Sequence, residues 1–188
     1  MASVLQVATI KDQGGNANAI EIANSSANVT VNNLTGGTIT SAVNFPAGHV
    51  IQVVTGTHSS ESFTESMGFT ATGISAAITP RNTSSKIFII ASTSGYSNGG
   101  TGHVSYYTIY RGSTNLEATT NIGFANIYLG SGAGDDLGSN ICISKLDSPN
   151  TSNAITYEMR ARTSSASHKA YWSMNHSTSN ITVMEIAG

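Results

Sequence analysis

Charge is the first scarcity. Asp, Glu, Lys and Arg together make up 10% of the 188 residues, against about 25% in an ordinary soluble domain. Ten acids and eight bases leave a net charge of −2, and no Lys/Arg run appears, so a strongly basic nucleic-acid binder is excluded. Cysteine occurs once, as Cys142, which rules out an internal disulfide framework. No apolar run approaches the roughly 20 residues of a membrane span. The opening Met1-Ala2-Ser3-Val4-Leu5-Gln6-Val7 lacks a charged segment followed by an apolar one, so no signal peptide is expected. The expected site of synthesis is a cytoplasm, with neither nucleic acid nor membrane as partner.

Good helix formers are scarce as well. Leu occurs 6 times and Lys 4 times, whereas Ile occurs 18 times and Val 10. β-branched residues of this kind fit a pleated, half-buried surface. Ser, Thr, Asn and Gly fill much of the remainder. At 39% apolar the chain still buries a core, and its low charge argues against disorder. The chain reads as all-β.

Two regions differ. In residues 1–46, short apolar alternations at Val4, Val7 and Ile10, at Ile20 and Ile22, and at Val29 and Val31 are separated by Gly and Asn turns. Short β segments with almost no aromatic residue cannot close a core alone, so this stretch reads as an extended β-rich arm that needs partners. Residues 47–188 read as a globular head, with Asn44–Gly48 as the joint. Expected strands are Val50–Gly56, Ser62–Thr70, Ile74–Thr79, Lys86–Ser94, His103–Arg111, Ile122–Leu129, Asn140–Leu146, Ala154–Thr163, Ala170–Met174 and Ile181–Ile186. Ile155, Tyr157 and Met159 share one face and Thr156, Glu158 and Arg160 the other. Lys86–Ala91 is apolar on both faces and is expected to be central. This spacing predicts an antiparallel β-sandwich, jelly-roll-like.

The chemistry is thin. Gly95-Tyr96-Ser97-Asn98-Gly99 has the spacing of a nucleophile elbow, but Gly100-Thr101-Gly102 follows where a helix is required. A glycine-rich turn is the better reading. Asp135 and Asp136 offer two carboxylates where Ca²⁺ needs six to eight oxygens, and a solvated turn explains them. His49, His58, His103, His168 and His176 show no zinc spacing, and Cys142 has no cysteine partner. Glu61 with Glu65, or Glu158 with Glu185, would form a glycosidase pair only at a separation that sequence does not reveal. Trp172 and the tyrosines Tyr96, Tyr106, Tyr107 and Tyr110 are explained by core and inter-sheet packing. Tyr96, expected in a loop among Asn and Ser, is the candidate for display to a sugar. No catalytic residue, metal ligand or cofactor is assigned.

Three groups of residues resemble tail-fibre-like and virion structural proteins of marine and cyanobacterial tailed phages. The first is Val4-Leu5-Gln6-Val7-Ala8-Thr9-Ile10-Lys11-Asp12-Gln13-Gly14-Gly15 with Ala19-Ile20-Glu21-Ile22. The second is Gly48-His49-Val50-Ile51-Gln52-Val53-Val54 with Thr72–Pro80 and Thr83–Ile87. The third is Tyr110–Thr114, Leu146–Thr151 and Ile181–Gly188. The resemblance implies a virion appendage, generally a homotrimer, with an attachment part and a β-rich distal head, and it carries no catalytic residues over. No long shaft is expected. The expected protein is therefore a short trimeric fibre or decoration protein on the particle, contacting other capsid or tail proteins and a host-surface glycan. A capsid cement protein and a carbohydrate-binding module or carbohydrate-active enzyme are the alternatives. Val4, Val7, Ile10, Ile20, Ile22, Val29 and Val31 are the expected assembly residues, and Tyr96 the expected ligand contact.

Overall fold

Lys86–Asn98 is the longest strand and organises one of two sheets. In chain order the strands are β1 (Val50–His58), β2 (Ser62–Thr64), β3 (Thr70–Ile78), β4 (Lys86–Asn98), β5 (Val104–Arg111), β6 (Thr114–Asn115), β7 (Ala125–Tyr128), β8 (Asp136–Asp147), β9 (Ile155–Thr163), β10 (Lys169–Trp172) and β11 (Ser179–Ile186). The computed structural model describes residues 45–117, 122–130 and 136–188. The seven expected assembly residues of the arm and Asp135 lie outside them. The described residues belong to one compact unit, Asn44–Gly188. None of their helices is long and apolar enough to cross a membrane.

All pairings are antiparallel, and the fold is a β-sandwich. β4 is central, as its two-faced apolar run predicts. One of its edges carries β8 from Ile87↔Asp147 to Asn98↔Asp136. The other edge is divided. β11 pairs with its first half, Lys86 to Ser92, and β10 with its end, Tyr96 to Asn98. β1 then pairs with β11, and β2 with β10. The second sheet runs β3-β9-β5, with β6 and β7 sharing the far edge of β5.

The alternation of β9 places Tyr157 and Met159 in the core with no exposure, while Thr156 is exposed. Facing them are Ile87, Ile89 and Ala91 of β4, Ile181 and Val183 of β11, and Ile141 and Ile143 of β8. Polar ties join the sheets at their margins. Asp147 of β8 accepts Arg111 Nη1 at 2.8 and 3.0 Å and the Tyr157 hydroxyl at 2.7 Å. Tyr107 of β5, fully buried, donates its hydroxyl to the carbonyl of Tyr171 on β10 at 2.6 Å. Burial raises the pKa of both phenols, so they remain donors.

Two glycines are dictated by close approach. A Cβ at Gly56 would overlap the carbonyl of Ser75, where β1 passes against β3. One at Gly95 would lie 2.9 Å from the Tyr107 hydroxyl, 3.0 Å from Ile127 Cδ1 and 3.1 Å from Ile141 Cγ1. Gly95 is therefore a gap in a strand, filled by the Tyr107 phenol. That corrects the expected glycine-rich turn at Gly95–Gly99: β4 continues to Asn98, and the turn begins at Gly99. The expected strand Ser62–Thr70 is also corrected, to two strands. Between them Ser66 folds back on itself, its hydroxyl bonded to both the N–H and the carbonyl of Gly68.

Candidate functional site

Residues of β4 alternate strictly between the core and the outer face of its sheet. Phe88, Ile90, Ser92, Ser94, Tyr96 and Asn98 point outward. Their cross-strand partners divide that outer face into two halves of different chemistry.

The half built on β1, β11, β4 and β8 is apolar toward Lys86 and passes into Thr55, Thr182 and Ser144 beside Ile90. One row runs Val53–Met184–Phe88–Leu146 across four strands, in register. Val50 and Ile186 lie beside it, and Ile90 follows on β4. Val50, Val53 and Leu146 are 54%, 55% and 49% exposed, so side chains suited to a core face solvent. Lys86, at the rim, is the charge on this half among the described residues. The open edge of β8 is better protected. Lys145 turns inward there, its Nζ 5.7 Å from the centre of the Phe124 ring, and an inward charge on an edge strand discourages strand addition. The edge is guarded and the face is not.

The half built on β2, β10, β4 and β8 is aromatic and polar. Tyr96, Tyr171 and Phe63 are cross-strand neighbours, with ring centres 5.5 and 5.2 Å apart in sequence. Lys169 Nζ sits 4.2 Å above the Phe63 ring. Tyr96 is therefore not in a loop, as expected from its glycine neighbours, but in a strand with an outward ring. The neighbouring Asp136 carboxylate, with some burial, pushes its pKa up to about 12. The Asp136 carboxylate also accepts Asn98 Nδ2 at 2.5 Å.

Beside Tyr96 lies a cavity of about 400 Å³, floored by β4 and β8 and bounded by Met174 and Asn175. It adjoins a second cavity of about 320 Å³ that reaches Cys142 and Thr178, the two sharing Ser94 and Asn140. The bounding ledge, Ser173–His176, is conformationally expensive. Ser173, Asn175 and His176 all have left-handed backbones, at φ 50°, 55° and 57°. Non-glycine residues adopt this region at a cost of order 1–3 kcal/mol each. Hydrogen bonds hold the ledge there. Glu61 accepts the Asn175 N–H at 2.8 Å, and Ser94 bonds both Ser177 and the Met174 carbonyl. Beneath, Thr93 Oγ1, Ser173 Oγ and Ser179 Oγ form a buried hydroxyl cluster, with Thr93–Ser179 at 2.7 Å and Ser173–Ser179 at 2.8 Å.

The remaining sequence candidates are dispersed. Trp172 and Tyr107 are core residues. Tyr106 and Tyr110 lie on the outer face of the other sheet, under the guanidinium groups of Arg162 and Arg160 at 4.0 and 4.2 Å. Ser97 is fully buried and accepts a hydrogen bond from Ser105 at 3.0 Å. Glu65 pairs with Lys169 at 3.7 Å, and Glu158 with Arg160 at 3.1 Å. Glu185, buried on β11, accepts the Arg81 N–H at 2.7 Å and Gln52 Nε2 at 2.6 Å. Burial raises its pKa, but such donors outweigh burial, and the net shift is downward. His103 and His168 meet edge to face, 4.2 Å apart. Among the described residues no three His, Cys, Asp or Glu side chains cluster to hold a metal.

Sequence reasoning missed Tyr171, Phe63, Asn140 and the ledge. Ala170-Tyr171-Trp172 carried the signal: if Trp172 is core, strand alternation turns Tyr171 outward. No family model and no curated protein matches the chain.

Proposed function

We propose that this protein is a non-enzymatic virion structural protein of a tailed phage, a short homotrimeric fibre or decoration protein. In this reading residues 1–46 attach it to other particle proteins, and the sandwich head is displayed. The observation that supports it is the open apolar row Val53–Met184–Phe88–Leu146 with its flanks. An exposed apolar patch of this continuity marks an association surface, and three copies of it converging on a threefold axis would cover one another. The threefold order comes from the fibre-like resemblance. The acids discussed above hold structural partners, which agrees with a scaffold role.

Burying a Val or Leu side chain fully contributes about 1.5–3 kcal/mol. Val53 and Leu146 are roughly half exposed already, so each gains about 1 kcal/mol on association. Native mass spectrometry on the full chain is the test. The expected species is three copies of the 19.4 kDa chain, and Val53→Lys with Leu146→Lys shifts it to monomer without lowering the β content by circular dichroism. A wild-type monomer at micromolar concentration overturns the reading. Labelled antibody against the chain, imaged on intact particles, tests the virion assignment separately.

A further inference from the structure

We infer that the groove beside Tyr96 is a saccharide site for an uncharged oligosaccharide, one pyranose stacking on the Tyr96 ring and the next unit lying toward Cys142. This rests on the head being a displayed module, and it names what the display is for.

The ring is prepared for stacking. Tyr171 holds it edge-on from one side. The residue opposite Tyr96 on β8 is Gly138, which has no side chain to lay over the ring; a Cβ there would stand 3.7 Å from Tyr96 Cδ2. A tyrosine buttressed at one edge, with a glycine at its side, loses little entropy in receiving a flat apolar ligand face. The C–H face of a pyranose has that character, and the electron-rich ring face attracts its C–H groups.

The rest of the lining selects the ligand class. Asn140, Asn175 and Ser94 border the first cavity, and no charged side chain lines it. Amides and hydroxyls match sugar hydroxyls, which donate and accept in turn. A sialic acid carboxylate or a sulfate would find no cation in the lining, and the Asp136 carboxylate at the Tyr96 hydroxyl would repel it. The ligand is therefore neutral. Two adjoining cavities, sharing Ser94 and Asn140, suit a chain of at least two sugar units. The first is within the size range of small-molecule sites.

Three of the four non-glycine residues with a positive φ among the described residues belong to the ledge bounding this groove. Backbone strain of that kind persists where surrounding structure over-determines it, and it gathers at ligand clamps. Here the Glu61, Ser94 and Thr93 contacts supply that over-determination.

The test is binding of the full chain to an array of neutral hexose, N-acetylhexosamine and deoxyhexose oligosaccharides, with sialyllactose and a sulfated trisaccharide alongside. Titration calorimetry on the strongest neutral hit follows. A neutral oligosaccharide is expected to bind, and the two anionic probes are not. Tyr96→Ala is expected to weaken binding tenfold or more, Asn140→Ala threefold or more, and Tyr96→Phe less than threefold, because the ring remains. The melting temperature of each variant shows that the head is intact. Absence of any neutral hit, preference for the anionic probes, or a Tyr96→Ala protein that binds as tightly as wild type overturns the inference. Native mass spectrometry of the same variants separates this from the assembly reading. If Tyr96→Ala dissociates the oligomer, the groove is a subunit contact and the saccharide assignment falls while assembly stands. If the chain is a monomer that binds sugar through Tyr96, assembly falls and the saccharide site stands.

Discussion

Gly95 and Tyr107 should behave as one unit, and a double-mutant cycle measures it. In Gly95→Ala the new methyl lies 2.9 Å from the Tyr107 hydroxyl, 3.0 Å from Ile127 Cδ1 and 3.1 Å from Ile141 Cγ1. Each neighbour must yield a few tenths of an ångström. Tyr107 has least room to do so, being fully buried and bonded to the Tyr171 carbonyl at 2.6 Å. Overpacking of this kind costs about 1–3 kcal/mol, and removing a glycine from a strand interior returns about 0.5–1 kcal/mol. The single variant is therefore destabilised by about 1–2 kcal/mol. Tyr107→Phe alone leaves the Tyr171 carbonyl without its donor, at about 1–3 kcal/mol. In the double variant the lost oxygen vacates the space the methyl needs. The pair should cost about 1 kcal/mol less than the sum, inside the range of coupling between touching residues. Urea unfolding followed by the fluorescence of buried Trp172 gives all four stabilities. Protein concentration is held fixed, because association adds to apparent stability. Additivity within about 0.3 kcal/mol, or a stabilised Gly95→Ala, would refute the account of why a glycine interrupts β4.

Two further outcomes follow from the buried polar groups. Thr93→Val removes a hydroxyl that bonds Ser179 Oγ and accepts the Ser173 N–H at 3.0 Å; the loss should be about 1–3 kcal/mol, with faster hydrogen exchange at the Ser173 amide, and unchanged protection there would contradict the ledge's anchoring. His103 is 1% exposed, and burial first, then neighbouring His168, lowers its pKa. The unfolded chain thus takes up a proton near pH 6.5 that the folded one refuses, so stability should fall as pH drops from there toward the lower folded value. His103→Asn should flatten that slope; an identical slope in the variant would assign it elsewhere.

Strand chemistry was legible wherever one residue type dominated a run. Lys86–Ala91 announced a central strand because both its faces are apolar, and the Ile155/Tyr157/Met159 alternation gave the inward face of β9 directly. Gly95 was misread for a physical reason: a glycine in a strand looks like a turn unless the phenol that fills its gap is known, and Tyr107 comes from another sheet. The start of β8, Asp136–Asn140, is exposed on both faces, so it lacks the buried apolar alternation that identifies strands. The aromatic row was hidden for a related reason. Tyr96, Tyr171 and Phe63 are scattered along the chain and meet only through the register of three strands. Composition reveals that aromatics exist; pairing decides which of them share a surface.

The pairing of β1 with β11 also fixes how the head bears load. Phe45–Val50 enters at the end of the sandwich where the chain finishes, with Gly48 N–H bonded to the Ala187 carbonyl and Ala187 N–H to the His49 carbonyl, both at 2.8 Å. Tyr96 lies ten residues up β4 from Lys86, about 33 Å away at strand rise. A pull on residue 45, opposed by a contact at Tyr96, is directed along the strands. It drags β1 lengthwise past β11, from Val50↔Ile186 to His58↔Ser179, so the hydrogen bonds of that ladder resist together instead of opening one after another. Force between the point of entry and the far end of β4 therefore meets the sandwich in shear, the direction in which a sheet is mechanically strongest.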